Sequence, residues 1–130
     1  MLVSAFITEG LCWKILLKAN RKIFSLFTTP FILKEFKDKL SGKFGFSAAE
    51  ADKAANLILE VAQIVDPDKK DIKVKGVCRD ADDNAILAAA LASKADYLVT
   101  GDADILILKT FKGINILSPK DFELLLVSLE

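Results

Sequence analysis

The sequence contains no histidine. Serine-histidine and cysteine-histidine catalysis are therefore excluded, together with the commonest zinc and iron sites. Cysteine is nearly as scarce. Cys12 and Cys78 form no C-x-x-C and are too few for a disulfide framework, which predicts reduced structural thiols in a cytoplasmic protein. Neither charge sign dominates, with 18 basic against 18 acidic side chains. Net charge thus identifies no partner, although a local patch or a bound cation would still attract nucleic acid. Long apolar runs are also missing. The opening "MLVSAFITEGLCWKILL" lacks a basic leader and is broken by Glu9 and Lys14, which argues against a signal peptide or a membrane span.

What is present is a globular composition, 52% hydrophobic and 28% charged over 130 residues, enough for one domain spanning 1–130 with a real core. Short apolar runs alternate with helical patterns, as in an α/β domain with a parallel sheet. The pattern predicts a helix from Gly10 to about Asn20, a strand from Ile23, and a helix opened by Pro30 with Ile32, Phe36 and Leu40 on one face. "SGKFGF" reads as a loop. Ser47 and Glu50 form a capping box before a helix running toward Glu60, and "VAQIV" reads as a strand ended by Asp66-Pro67. Lys69, Lys70, Lys73 and Lys75 mark a connector, solvated first and a phosphate-contacting edge second. A helix from about Asp82 to Ser93, a buried strand "DYLVT", a short helix near "ILILK", a strand "INIL" and a last helix begun by Ser118-Pro119 complete the reading.

Carboxylates are the only candidates for chemistry. Asp102 and Asp104 follow a buried apolar run and Gly101, and ligands of open α/β sheets bind beyond the carboxyl ends of strands. The alternative is that Asp102 caps the next short helix with Asp104 in its first turn. Asp80, Asp82 and Asp83 crowd before another helix, at an electrostatic cost unless cations or donors offset it. Asp80 as N-cap and Asp83 as its capping-box partner would account for two of them. An EF-hand is excluded because Ala85 and Leu91 stand where glycine and a bidentate glutamate are required. Glu35 lies on the shoulder of the Ile32, Phe36, Leu40 stripe, where a side chain can reach a cleft but is more often solvated. Together these acids suit a hard cation such as magnesium or manganese.

With "LVSAF", "TPFILKEF", "DDNAILAAALASKADYLVTGDADILIL" and "INILSPKDFELLL", nearly the whole chain resembles the PIN (PilT N-terminus) domain nucleases, in the branch that includes toxins of toxin-antitoxin pairs. The resemblance implies a three-layer α/β fold with a mostly parallel central sheet flanked by helices. It also implies a metal-dependent endoribonuclease using Mg2+ or Mn2+, inhibited by a small antitoxin and able to form a homodimer. By motif, Glu35, Asp83 and Asp102 correspond to the principal acids and Asp104 to an auxiliary acid, all metal ligands. Ser4 and Thr100 correspond to supporting hydroxyls, and Asn84 to a further supporting position. The implied reaction is hydrolysis of an RNA phosphodiester by water activated at the cation, leaving a 5′ phosphate on one product.

One departure is expected. Family members usually begin with a strand ending in Asp-Thr-Asn, followed by an apolar pair and Val-Ser-Ala, and that aspartate is a principal ligand. Here "MLVSAF" aligns just after the triplet, so the resemblance implies a truncated first strand and a missing acid, as a start codon set too late would produce. A competing function is therefore an inactive PIN-like binding domain. A third is aspartate-based phosphoryl transfer, since "DAD" resembles the D-x-D of haloacid-dehalogenase phosphatases, but Leu106 stands where a hydroxyl is required.

Overall fold

A computed structural model describes residues 3–8 and 13–129, the side chain of Trp13 excepted. Among these residues the chain runs β1 (Val3–Ile7), α1 (Trp13–Asn20), β2 (Phe24–Thr28), α2 (Pro30–Lys43), α3 (Ala48–Val61), β3 (Ala62–Ile64), α4 (Ala81–Ser93), β4 (Tyr97–Val99), α5 (Ala103–Leu106), β5 (Thr110–Phe111), β6 (Ile114–Leu117) and α6 (Pro119–Leu129). The strands form one sheet in the order β3-β2-β1-β4-β6-β5. All pairings are parallel except β5 with β6. This is the expected α/β architecture, with a mostly parallel sheet between helices.

The expected vacancy at the centre of the sheet is not found. Val3–Ile7 itself fills it, pairing with β2 on one side and β4 on the other. Its residues suit that place: Ala5, Phe6 and Ile7 are fully buried, with Ala5 and Ile7 on one face and Phe6 on the other. A strand covered on both faces needs such a continuous apolar run. Its amino end is fixed by Asp96, whose carboxylate accepts from the Ser4 N–H at 2.8 Å while its own N–H donates to the Ser4 carbonyl.

Helix starts follow local chemistry. Thr29 caps α2 by accepting from the Ile32 N–H, with Pro30 in the first turn. Ser47 and Glu50 close the expected capping box of α3. Three calls shift. Ser41, Gly42 and Lys43, read as loop, continue α2, which packs on α3 and is tied to it by Lys37–Asp52 at 3.5 Å. Strand β5 was not anticipated. Of the predicted helix from Gly10, residues 10–12 lie outside the described region.

Two apolar cores flank the sheet. On one face Leu87, Ala89 and Ala90 of α4 and Ile32 of α2 pack over Phe6, Leu98 and Ile116. On the other, Ile15 and Ala19 of α1 with Phe122 and Leu126 of α6 pack over Ala5, Ile7, Leu26 and Val99. Phe122 meets Phe24 edge-on, ring centroids 5.1 Å apart. Chain order places β2 and β3 on one side of β1, and β4 and β6 on the other. The carboxyl ends of β1 and β4 thus flank the crevice where such sheets bind ligands.

This packing predicts that Phe122→Ala lowers unfolding free energy by about 3–5 kcal/mol, whereas Leu124→Ala, on the exposed side of the same helix, changes it by less than about 0.5 kcal/mol. Denaturant melts of both variants check the assignment of the two faces.

Candidate active site

The sheet register brings Thr8 and Thr100 side by side just past the carboxyl ends of β1 and β4. The Thr8 N–H and hydroxyl both donate to the Val99 carbonyl, at 2.9 and 3.2 Å, and the Thr100 N–H donates to Leu117. The buried Thr100 hydroxyl then accepts from the Asp102 N–H at 3.1 Å, fixing the turn after β4. Asp102 caps α5 by accepting from the Asp104 N–H at 2.9 Å. The capping reading of this pair is therefore correct.

Ligand-type oxygens of Asp83, Asp102 and Asp104 all lie within 4.8 Å of one another. Asp83 comes from the first turn of α4, whose N-cap is Asp80, accepting from the Asp82 N–H. Asp80 therefore caps as anticipated. Asp83 does not serve as its capping-box partner; the residue is only 6% exposed and its carboxyl is turned to Asp102. Burial, the Asp102 charge and a hydrogen bond with Asp102, followed by the charges of Asp80 and Asp104, push the Asp83 pKa up from 3.8 to about 6. Burial also raises the Cys78 thiol, and Asp83, Asp102, Asp104 and Asp80 add to that shift. Little positive charge offsets the cluster: Arg79 approaches Asp104 only to 4.0 Å, with its side chain 94% exposed.

The remaining candidates divide. Asn84 grips the preceding loop, accepting from the Cys78 N–H at 2.8 Å and donating to the Cys78 carbonyl at 3.2 Å. It supports the position of α4. Glu35 is not part of the three-carboxylate group; it lines the adjoining cleft of about 620 Å³ with Asp102, Thr8 and Thr100. Ser4 lies away from the three-carboxylate group. It lies at the amino end of β1 opposite Asp96, roughly 13 Å from Thr8 along an extended strand. The hydroxyl at the site end of β1 is Thr8, which sequence reading missed because alignment by "VSA" put the whole segment beyond the strand. Asp38, Lys39 and Asp82 also line the cleft. Helical spacing from Glu35 is the signal that points to Asp38 and Lys39, while Asp82 already stood out in the acidic cluster before α4.

A profile of the PIN domain family matches residues 1–104. The chain belongs to the PIN domain family. No curated protein matches it. PIN domains are generally metal-dependent nucleases acting on RNA, and the acidic cluster has the donor chemistry for that use. Three carboxylates, one of them buried, with exposed Arg79 reaching only the outermost of them, fit a hard divalent cation with oxygen ligands. No helix among the described residues is long and apolar enough to cross a membrane.

The raised Asp83 pKa carries a signed prediction. The folded protein holds the Asp83 proton more tightly than the unfolded chain, so ionisation costs stability. The cost is absent below the ordinary value, grows as pH rises from about 4 to about 6, and persists above. Without metal, Asp83→Asn removes this loss and is more stable than wild type near neutral pH by about 1–3 kcal/mol, with no advantage at about pH 4. Thermal melts across that range in chelator read both.

Proposed function

We propose that this PIN domain is a metal-dependent endoribonuclease whose site is built on Asp83, Asp102 and Asp104, with Glu35 acting across the cleft. The observation that carries the reading is the turning of buried Asp83 toward Asp102, which leaves carboxylates clustered where capping alone would keep them apart. Asp83 and Asp102 would hold Mg2+ or Mn2+, and Asp104 would hold a second ion or orient water. The cation supplies Lewis acidity toward the phosphodiester and lowers the pKa of water. Thr100 fixes the Asp102 backbone, Asn84 fixes the start of α4, and Thr8 offers a hydroxyl beside both. Glu35, exposed on α2, is free to accept a proton or turn toward the cation. The toxin role, with a cognate antitoxin covering the cleft in the cytoplasm, extends this proposal on the strength of the sequence resemblance. So does a homodimer, for which exposed Leu124 and Val127 on α6 provide apolar surface.

A second reading is a non-catalytic binding domain. It is favoured by Thr8, a hydroxyl residue and not an acid at the carboxyl end of β1.

Asp102→Asn should abolish manganese-dependent cleavage of RNA, by about a thousandfold or more, while leaving the fold intact because asparagine also caps helices. Asp104→Asn should cost less. Wild-type cleavage that survives Asp102→Asn would remove Asp102 from the site, and absence of cleavage by wild type at any manganese concentration would favour the binding domain.

A further inference from the structure

The wall of the cleft facing Asp102 is unlike its floor. Two adjacent ridges of α2 form it: Ile32, Phe36, Leu40 and, one residue past the helix end, Phe44 at successive spacings of four, then Phe31, Glu35 and Lys39 at the same spacing. Phe31 and Phe44 are 55% and 62% exposed, large apolar surfaces left toward water although the sheet below offers a core. Phe31 also lines a second hollow of about 340 Å³, as do Ile32, Asp82 and Ile86. Lys39 is the cation that the structure puts on this wall.

Charge alone cannot bring RNA here, because Glu35, Asp38, Asp82 and Asp102 outnumber Lys39 among the lining side chains. Bound divalent cations would neutralise the carboxylates and hold one phosphate. The neighbouring nucleotides then need a different source of affinity, and exposed phenyl rings supply it for any base with a free face. We infer that Phe31, Phe36 and Phe44 form a stacking wall for unpaired bases flanking the phosphate at Asp102, with Lys39 contacting an adjacent phosphate. This rests on the nuclease reading only for where that phosphate sits. The consequence is a preference for strands whose bases can leave a stack, set by α2 and not by the carboxylates.

The test is fluorescence anisotropy with a labelled eight-nucleotide RNA, phosphorothioate-linked to resist hydrolysis, and with the same strand lacking its bases, both in manganese. Wild type should bind the base-bearing strand about tenfold or more tightly than Phe31→Ala/Phe44→Ala, and the two proteins should bind the baseless strand equally, which also reports an intact fold. Phe44→Leu, which keeps bulk but not the ring, should fall between them. Equal binding of the base-bearing strand by wild type and double variant overturns the inference, as does an equal loss on both strands. Phenylalanine-dependent capture of a basic amphipathic peptide without phenylalanine-dependent RNA binding overturns it too, assigning the wall to a protein partner. The nuclease reading fails separately: ring-dependent RNA binding with no cleavage of an ordinary strand leaves the wall standing, and Asp102-dependent cleavage unaffected by the rings leaves only the nuclease.

Discussion

The mutual repulsion of three carboxylates at the β1–β4 crevice is the constraint on which the site depends. Folding alone gives no reason to bury Asp83 against Asp102, since ionising it there is disfavoured by burial and by like charge. The surrounding structure nonetheless enforces the arrangement. Asp80 caps α4 and sets where its first turn begins, Asn84 pins that turn to the Cys78 loop, and Thr100 with the α5 cap holds Asp102 in place. Ordinary structural bonds thus hold the acids together at an electrostatic cost to stability.

Capping a helix and belonging to the acidic cluster are not exclusive in this fold. Asp102 caps a one-turn helix through one carboxylate oxygen and still has ligand-type oxygen within the cluster. Asp80 caps and does nothing more that the cluster requires. The difference between them is the strand end: Asp102 follows β4 at the point where strand order reverses, whereas Asp80 begins a helix from a loop. Position relative to the sheet, more than residue type, separates a structural acid from a candidate ligand.

Much of this was legible in the chain. Caps and prolines marked α2, α3, α4 and α6 because each satisfies orphan amide groups locally. Asp83, Asp102 and Asp104 were legible as acids at element ends. Their convergence was not, because distance between residues 83 and 102 is set by sheet order, which periodicity does not encode. Glu35 was placed correctly on a cleft-facing shoulder, but its exact reach depends on the tilt of α2. β1 was missed although "VSAFI" has the pattern of a buried strand: a motif-based alignment assigned that place to residues upstream, and the same alignment misplaced Ser4. The extension of α2 through Ser41 and Gly42 runs against local propensity and is closed by the Phe44 and Phe46 N–H groups donating to the Leu40 carbonyl. Two-residue β5 has too little pattern to be seen.

Anomalous diffraction from crystals soaked in manganese addresses the central claim most directly. The account predicts a peak about 2–2.3 Å from carboxylate oxygens of both Asp83 and Asp102. A peak bound elsewhere, or none at millimolar manganese, would contradict it.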